Sequence, residues 1–120
     1  MKNREVLNKL YEVHSVLCLS EYWTQGTSAR TRLGTKVKVH SPCAESFCLY
    51  GAIKRVFPNN ITFNLFDNSI IARVFFKVED VIKTATGKFN DSHTHGEVLD
   101  AIEQVIIEQE VVVYGEPEKS

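Results

Sequence analysis

Apolar side chains recur every three to four positions in three separate stretches of this chain, and each stretch predicts a helix. Over 4–18 the repeating positions are Val6, Leu7, Leu10, Val13, Val16 and Leu17, with Asn3 as the N-cap. Over 67–85 they are Ile70, Ile71, Val74, Phe75, Val78, Val81 and Ile82, a stripe that ends near Gly87. Its β-branched content also fits a pair of strands, but the helical spacing persists over too many turns for that reading to be preferred. The third stripe is Val98, Leu99, Ile102, Val105 and Ile106. Thr94-His95-Gly96-Glu97 opens it as a capping box, in which the Thr94 hydroxyl accepts from the Glu97 N–H while the Glu97 carboxylate reaches back.

A fourth helix is expected from Ser41-Pro42, with Ser as N-cap and Pro at the first helical position, where a missing N–H costs nothing. It runs to about Val56 and stops before Pro58-Asn59-Asn60. Such a helix puts the small residues Ala44, Cys48, Gly51 and Ala52 on one face at i, i+4, i+7 and i+8. Between 31 and 39, Leu33, Val37 and Val39 interleave with Arg32, Lys36 and Lys38 around Gly34, the pattern of a short β-hairpin. A hairpin that small must lie on the helices. Residues 61–66 alternate like a strand, and Val111-Val112-Val113-Tyr114 extends as a strand or lies in a groove. The expected fold is therefore mainly α, a compact four-helix domain with a small β-hairpin. One globular domain over 1–114 is followed by a flexible acidic tail over 115–120.

With 43% hydrophobic and 24% charged residues the composition is that of a globular chain, not a disordered one. No run approaches the ~18 apolar residues of a membrane span, and Met1-Lys2-Asn3-Arg4-Glu5 begins no apolar leader. A cytoplasmic protein without membrane contact is expected, with Cys18, Cys43 and Cys48 as reduced thiols. Charge is uneven. Residues 1–60 carry nine Lys/Arg against four Asp/Glu, and residues 61–120 carry five against eleven. Arg30, Arg32, Lys36, Lys38, Lys54 and Arg55 read either as an anion-facing patch for a nucleotide, nucleic acid or acidic protein surface, or as a solvated rim offset by the acidic half. A net charge of −1 favours the rim and argues against general nucleic-acid binding.

Three short motifs carry the candidate chemistry. Cys48 with His95 as base and Asn90 or Asp91 behind it composes a nucleophile set, with Cys48, His95 and Asp91 as its catalytic residues. Two turns into a helix, however, Cys48 lies past the first-turn field that lowers a thiol pKa, and its small-residue face reads as packing. Cys43, near the helix start, is better placed for thiolate character. His40-x2-Cys43 with His93-x-His95 is a feasible metal set without diagnostic spacing, so neither metal nor cofactor is expected. Asn90-Asp91 after Phe89 either holds a ligand or satisfies backbone donors in the 87–94 connection. Trp23 and Arg30 form one wall of a pocket, or Trp23 plugs the small-residue groove while Arg30 pairs with Asp91.

Trp23-x2-Gly26-x2-Ala29-Arg30 with Gly34, then Ala44 and Cys48-x2-Gly51-Ala52, then Phe89-Asn90-Asp91 with Glu97-Val98, together resemble a family of small bacterial and phage proteins of unknown function. The match covers most of 20–56 and 88–108; 57–87 departs from it by being richer in Phe and Ile. The resemblance implies a phage or bacterial cytoplasmic protein and imports no activity. The expected function is a non-enzymatic accessory protein, monomer or homodimer, binding a protein or small-molecule partner through Trp23, Arg30, Asn90 and Asp91. The alternatives are the cysteine-dependent hydrolase or transferase and a phosphate-binding module on the basic hairpin.

Overall fold

The computed structural model describes residues 2–59 and 69–115. The strand expected at 61–66 lies outside them, as does the tail beyond Gly115. The fold is mainly α with a small antiparallel β pair, as the periodicity predicts. Five helices appear among the described residues, where four were expected: α1 (Lys2–Leu17), α2 (Leu49–Arg55), α3 (Ile70–Ile82), α4 (Thr86–Ser92) and α5 (His95–Tyr114). The β pair joins β1 (Ala29–Arg30) to β2 (Ser46–Phe47), with Ala29 opposite Phe47 and Arg30 opposite Ser46.

The three periodic stripes bury as expected. Leu10, Val13 and Leu17 of α1 meet Val98, Ile102 and Val105 of α5, with Val74, Phe75 and Val78 of α3 closing the core. Each such side chain contributes ~1.5–3 kcal/mol on leaving water. Among the described elements α1 and α5 form the most extensive pairing. Ser69 caps α3 through the Ala72 N–H, and α3 ends at Lys83, whose φ of 61° is left-handed. The Thr94 capping box is present in both directions. Among the described residues no helix is long and apolar enough to cross a membrane.

Five expectations are corrected. Asn3 lies inside α1, which already includes Lys2, and is not its N-cap. The helix expected from Ser41-Pro42 starts seven residues later by its cap, at Cys48. Ser41 instead closes a turn, its carbonyl accepting from the Ala44 N–H, and the chain then runs extended to pair with β1. Residues 31–39 contribute a turn and one isolated bridge, Arg30 to Lys36, while the paired strands are 29–30 and 46–47. Phe89-Asn90-Asp91 lies within α4, not in a loop. Val111–Tyr114 forms the last turn of α5, neither strand nor groove filler.

Candidate functional site

The three motifs meet at one end of the helix core, and Asn90 is where they join. Its side chain, fully buried on α4, uses all its hydrogen-bonding capacity. Oδ1 accepts from the indole N–H of Trp23 (2.6 Å) and from the Leu49 backbone N–H at the start of α2 (2.9 Å). Nδ2 donates to the Thr24 carbonyl (2.9 Å) and, at a longer 3.4 Å, to Asp91 Oδ1. Even the Asn90 carbonyl is taken, by Gln25 Nε2 (3.0 Å). Asp91 Oδ1 accepts from the Gly26 N–H (3.0 Å). A two-residue polar segment on a short helix thus holds the 23–26 loop and one end of another helix.

Arg30 grips the same loop from β1. Its Nε donates to Thr24 Oγ1 (2.9 Å), Nη2 to the Gln25 carbonyl (3.2 Å) and Nη1 to the Gly34 carbonyl (3.0 Å). The direct Arg30–Asp91 pair is therefore not formed; the two residues fasten the 24–26 loop separately. A planar guanidinium with several donors suits this task, because three carbonyl or hydroxyl acceptors lie around it. Trp23 is half-buried, tilted against the His95 ring at 5.6 Å, and paired in register with Phe47. Its place is beside Asn90, not in a small-residue groove of one continuous helix.

The small residues have a different cause from the one their spacing implied. A Cβ added at Gly51 would sit 2.0 Å from the Ser28 carbonyl oxygen, so the loop backbone lies directly on α2 at that point. The Ser28 carbonyl also accepts from the Cys48 N–H (3.2 Å). Cys48 Sγ accepts from the Gly51 N–H (3.3 Å), making this cysteine the N-cap of α2. That is the helix position whose field favours a thiolate. Burial wins nonetheless: Cys48 is 5% exposed, and desolvation pushes its thiol up, outweighing the lowering by the Gly51 N–H. Cys43 is exposed in the turn after Ser41, away from any helix start.

The histidines are engaged elsewhere. His95 Nε2 donates to the Leu17 carbonyl (2.7 Å), His40 Nε2 to the Phe57 carbonyl (2.6 Å) and His93 Nδ1 to the Phe89 carbonyl (2.8 Å). A carbonyl only accepts, so each of these nitrogens carries its proton and is unavailable as a base or a ligand. Cys48, His95 and Asp91 share a neighbourhood but form no nucleophile–base–orienter chain. Among the described residues no three His, Cys, Asp or Glu side chains are grouped to hold a metal. The basic residues diverge too. Arg30 is spent on the loop, Arg32 lines a recess with Glu21 and Glu45, and Lys38 lines a separate one with His40. Arg30, Arg32 and Lys38 therefore do not converge on one phosphate cradle.

Two contributors were not singled out by sequence reasoning. Gln25 ties both the Asn90 and the His93 carbonyls, and Thr24 supplies acceptors to both Asn90 and Arg30. Their positions inside the Trp23–Gly26 motif were the available signal. No family model, curated protein or solved structure matches the chain.

Proposed function

We propose that this chain is a small non-enzymatic accessory protein of phage or bacterial kind, recognising a protein partner through the loop layer that Trp23, Arg30, Asn90 and Asp91 hold in place. In this reading those four residues are the buttress and the contact is made by what they present. The observation that carries it is the turn over 31–35. Leu33 stands at its tip, 93% exposed. The turn beneath is cross-braced: Gly34 N–H to the Thr31 carbonyl (3.0 Å), Thr31 N–H to the Thr35 carbonyl (2.8 Å), and Arg30 to the Gly34 carbonyl. Gly34 supplies the positive φ, 91°, that the turn requires. An apolar tip already fixed in position loses little conformational entropy on docking. It suits an apolar pocket on the partner's surface.

Native mass spectrometry of untagged protein purified from bacterial cytoplasm, with Leu33→Asp prepared in parallel, tests this. The expected result is a protein-sized added mass on the native chain, absent from the variant, with both melting within about 2 °C of each other. A bare native chain, an added mass of small-molecule size, or a partner retained by Leu33→Asp overturns the reading.

A further inference from the structure

The far end of α5 carries a second surface that the loop layer does not explain. Ile107, Val111 and Tyr114 fall at i, i+4 and i+7 on one face, 54%, 68% and 64% exposed. They lie 12–19 residues beyond His95, hence roughly 18–28 Å along the helix from the Trp23 contact. Beside them, α1 and α5 enclose a cleft of about 480 Å³ to which Tyr11 and Ile107 contribute. The stripe has acidic edges: Glu103 and Glu110 lie on one side by helical spacing and Glu108 on the other. Across its 20 residues α5 contains neither Lys nor Arg. At the Tyr114 end Arg4 of α1 lies over the ring at 5.6 Å, so the acidic, cation-free part of the stripe is centred on Ile107 and Val111.

We infer that this stripe is a docking site for an amphipathic helix whose apolar face is flanked by Lys and Arg. Apolar positions at helical spacing provide the seat, and the carboxylate edges select the sign of the partner's flanks. A second copy of this chain laid symmetrically on the stripe would set the same carboxylates against each other. An anionic lipid surface would meet the same repulsion.

The probe is a fluorescein-labelled peptide of about 18 residues with leucines at i, i+3, i+4 and i+7 and lysines elsewhere, beside a twin with glutamates for lysines. Binding to the full chain is followed by fluorescence anisotropy, and helicity of every variant by circular dichroism. The lysine peptide is expected to bind, the glutamate twin not, and Val111→Asp to weaken binding by about tenfold. The substitution adds a negative charge, so attraction by charge alone would tighten it instead. Unchanged or tighter binding by a helical Val111→Asp, equal binding of the two peptides, or no binding overturns the inference. So does sedimentation of the native chain as a dimer that Val111→Asp makes monomeric.

Discussion

The two ends of this molecule are held together by opposite means. Along α1 and α5 the interior is apolar but for one amide, the buried Gln109, whose Nε2 donates to the Asn3 carbonyl (2.9 Å), and the other polar bonds lie at its margin: Tyr11 donates to Glu110 (2.6 Å) and His14 meets Glu103 (3.1 Å). The Glu110 carboxylate, by accepting from that phenol, pushes Tyr11 well above the ordinary tyrosine range. At the loop end the arrangement is inverted. A buried amide, Asn90, is the centre, and apolar Trp23, Phe47 and Leu49 surround the chain segments it binds. Helices satisfy their own backbones and need only an apolar face to pack. Loops leave N–H and C=O groups unpaired, and a buried loop must find partners for them. The polar motifs are therefore located where irregular backbone is brought against the core.

The sharpest way to break this contrast is to remove each centre in turn. Asn90→Ala leaves the Leu49 N–H, the Trp23 indole N–H and the Thr24 carbonyl without their partner in a buried place. A loss of about 4 kcal/mol is expected, near the upper end for single substitutions. Leu10→Ala, which opens a cavity in the α1–α5 core, should cost about 3 kcal/mol. The two differ in kind as well as size. Trp23 is the only tryptophan, so its emission should shift to the red in folded Asn90→Ala and stay unchanged in folded Leu10→Ala. Chemical denaturation followed by fluorescence and by far-ultraviolet circular dichroism gives both quantities. If Asn90→Ala costs under 1 kcal/mol with an unshifted spectrum, the amide is not the centre of the loop end.

A smaller effect tests the place where loop and helix touch. Gly51→Ala forces a methyl group against the Ser28 carbonyl oxygen at 2.0 Å, backbone against backbone, with no flexible side chain to yield. An overpacking cost of about 2 kcal/mol is expected, although alanine is otherwise the better helix residue. A thermal melt at or above that of the native chain would mean that the loop does not rest on α2 as described.

What could be read in the sequence divides along the same line. α1, α3 and α5 were legible because their large apolar side chains repeat at the helical period and that face is what they bury. The Ser41 start was misread because two residues with good capping statistics stood before small residues at helical spacing. Those residues are small for another reason: Gly51 admits the Ser28 backbone, and Ala44 and Cys48 lie in or next to extended chain. Periodicity cannot distinguish a helix face from a surface on which a loop rests. α4 was invisible because its cap, Ala85, makes no side-chain bond and its Asn and Asp are poor helix formers. The Val111–Val113 run pointed to a strand, but α5 carries it through as helix, with Arg4 stacked over the Tyr114 ring. At the candidate site the structure brings Trp23, Arg30, Asn90 and Asp91 around one loop, and of the two open readings of Asn90-Asp91, ligand holder or partner of backbone donors, the bonds present are of the second kind. The Arg30–Asp91 link failed because each residue found a nearer acceptor or donor in the loop itself.

The smallest expected effect belongs to the joint between the two ends. α5 begins at Thr94, and its first residue, His95, touches Trp23 and the Leu17 carbonyl. The Glu97 carboxylate accepts from the Thr94 N–H (2.9 Å), and that bond, followed by the one to the Thr94 side chain, holds its pKa below the ordinary 4.5. A carboxyl lowered in the folded state adds stability that is complete above its unfolded value and is lost as pH falls through the folded one. Between pH 7 and about 5 the melting temperature should therefore show no Glu97 contribution to its slope, and below about 4.5 it should fall more steeply in the native chain than in Glu97→Gln. The glutamine keeps an acceptor but cannot be protonated in this range, so the two curves converge in acid. Parallel curves down to pH 3 would show that the capping box is present without contributing, and that packing of His95 against Trp23 alone fixes where α5 begins.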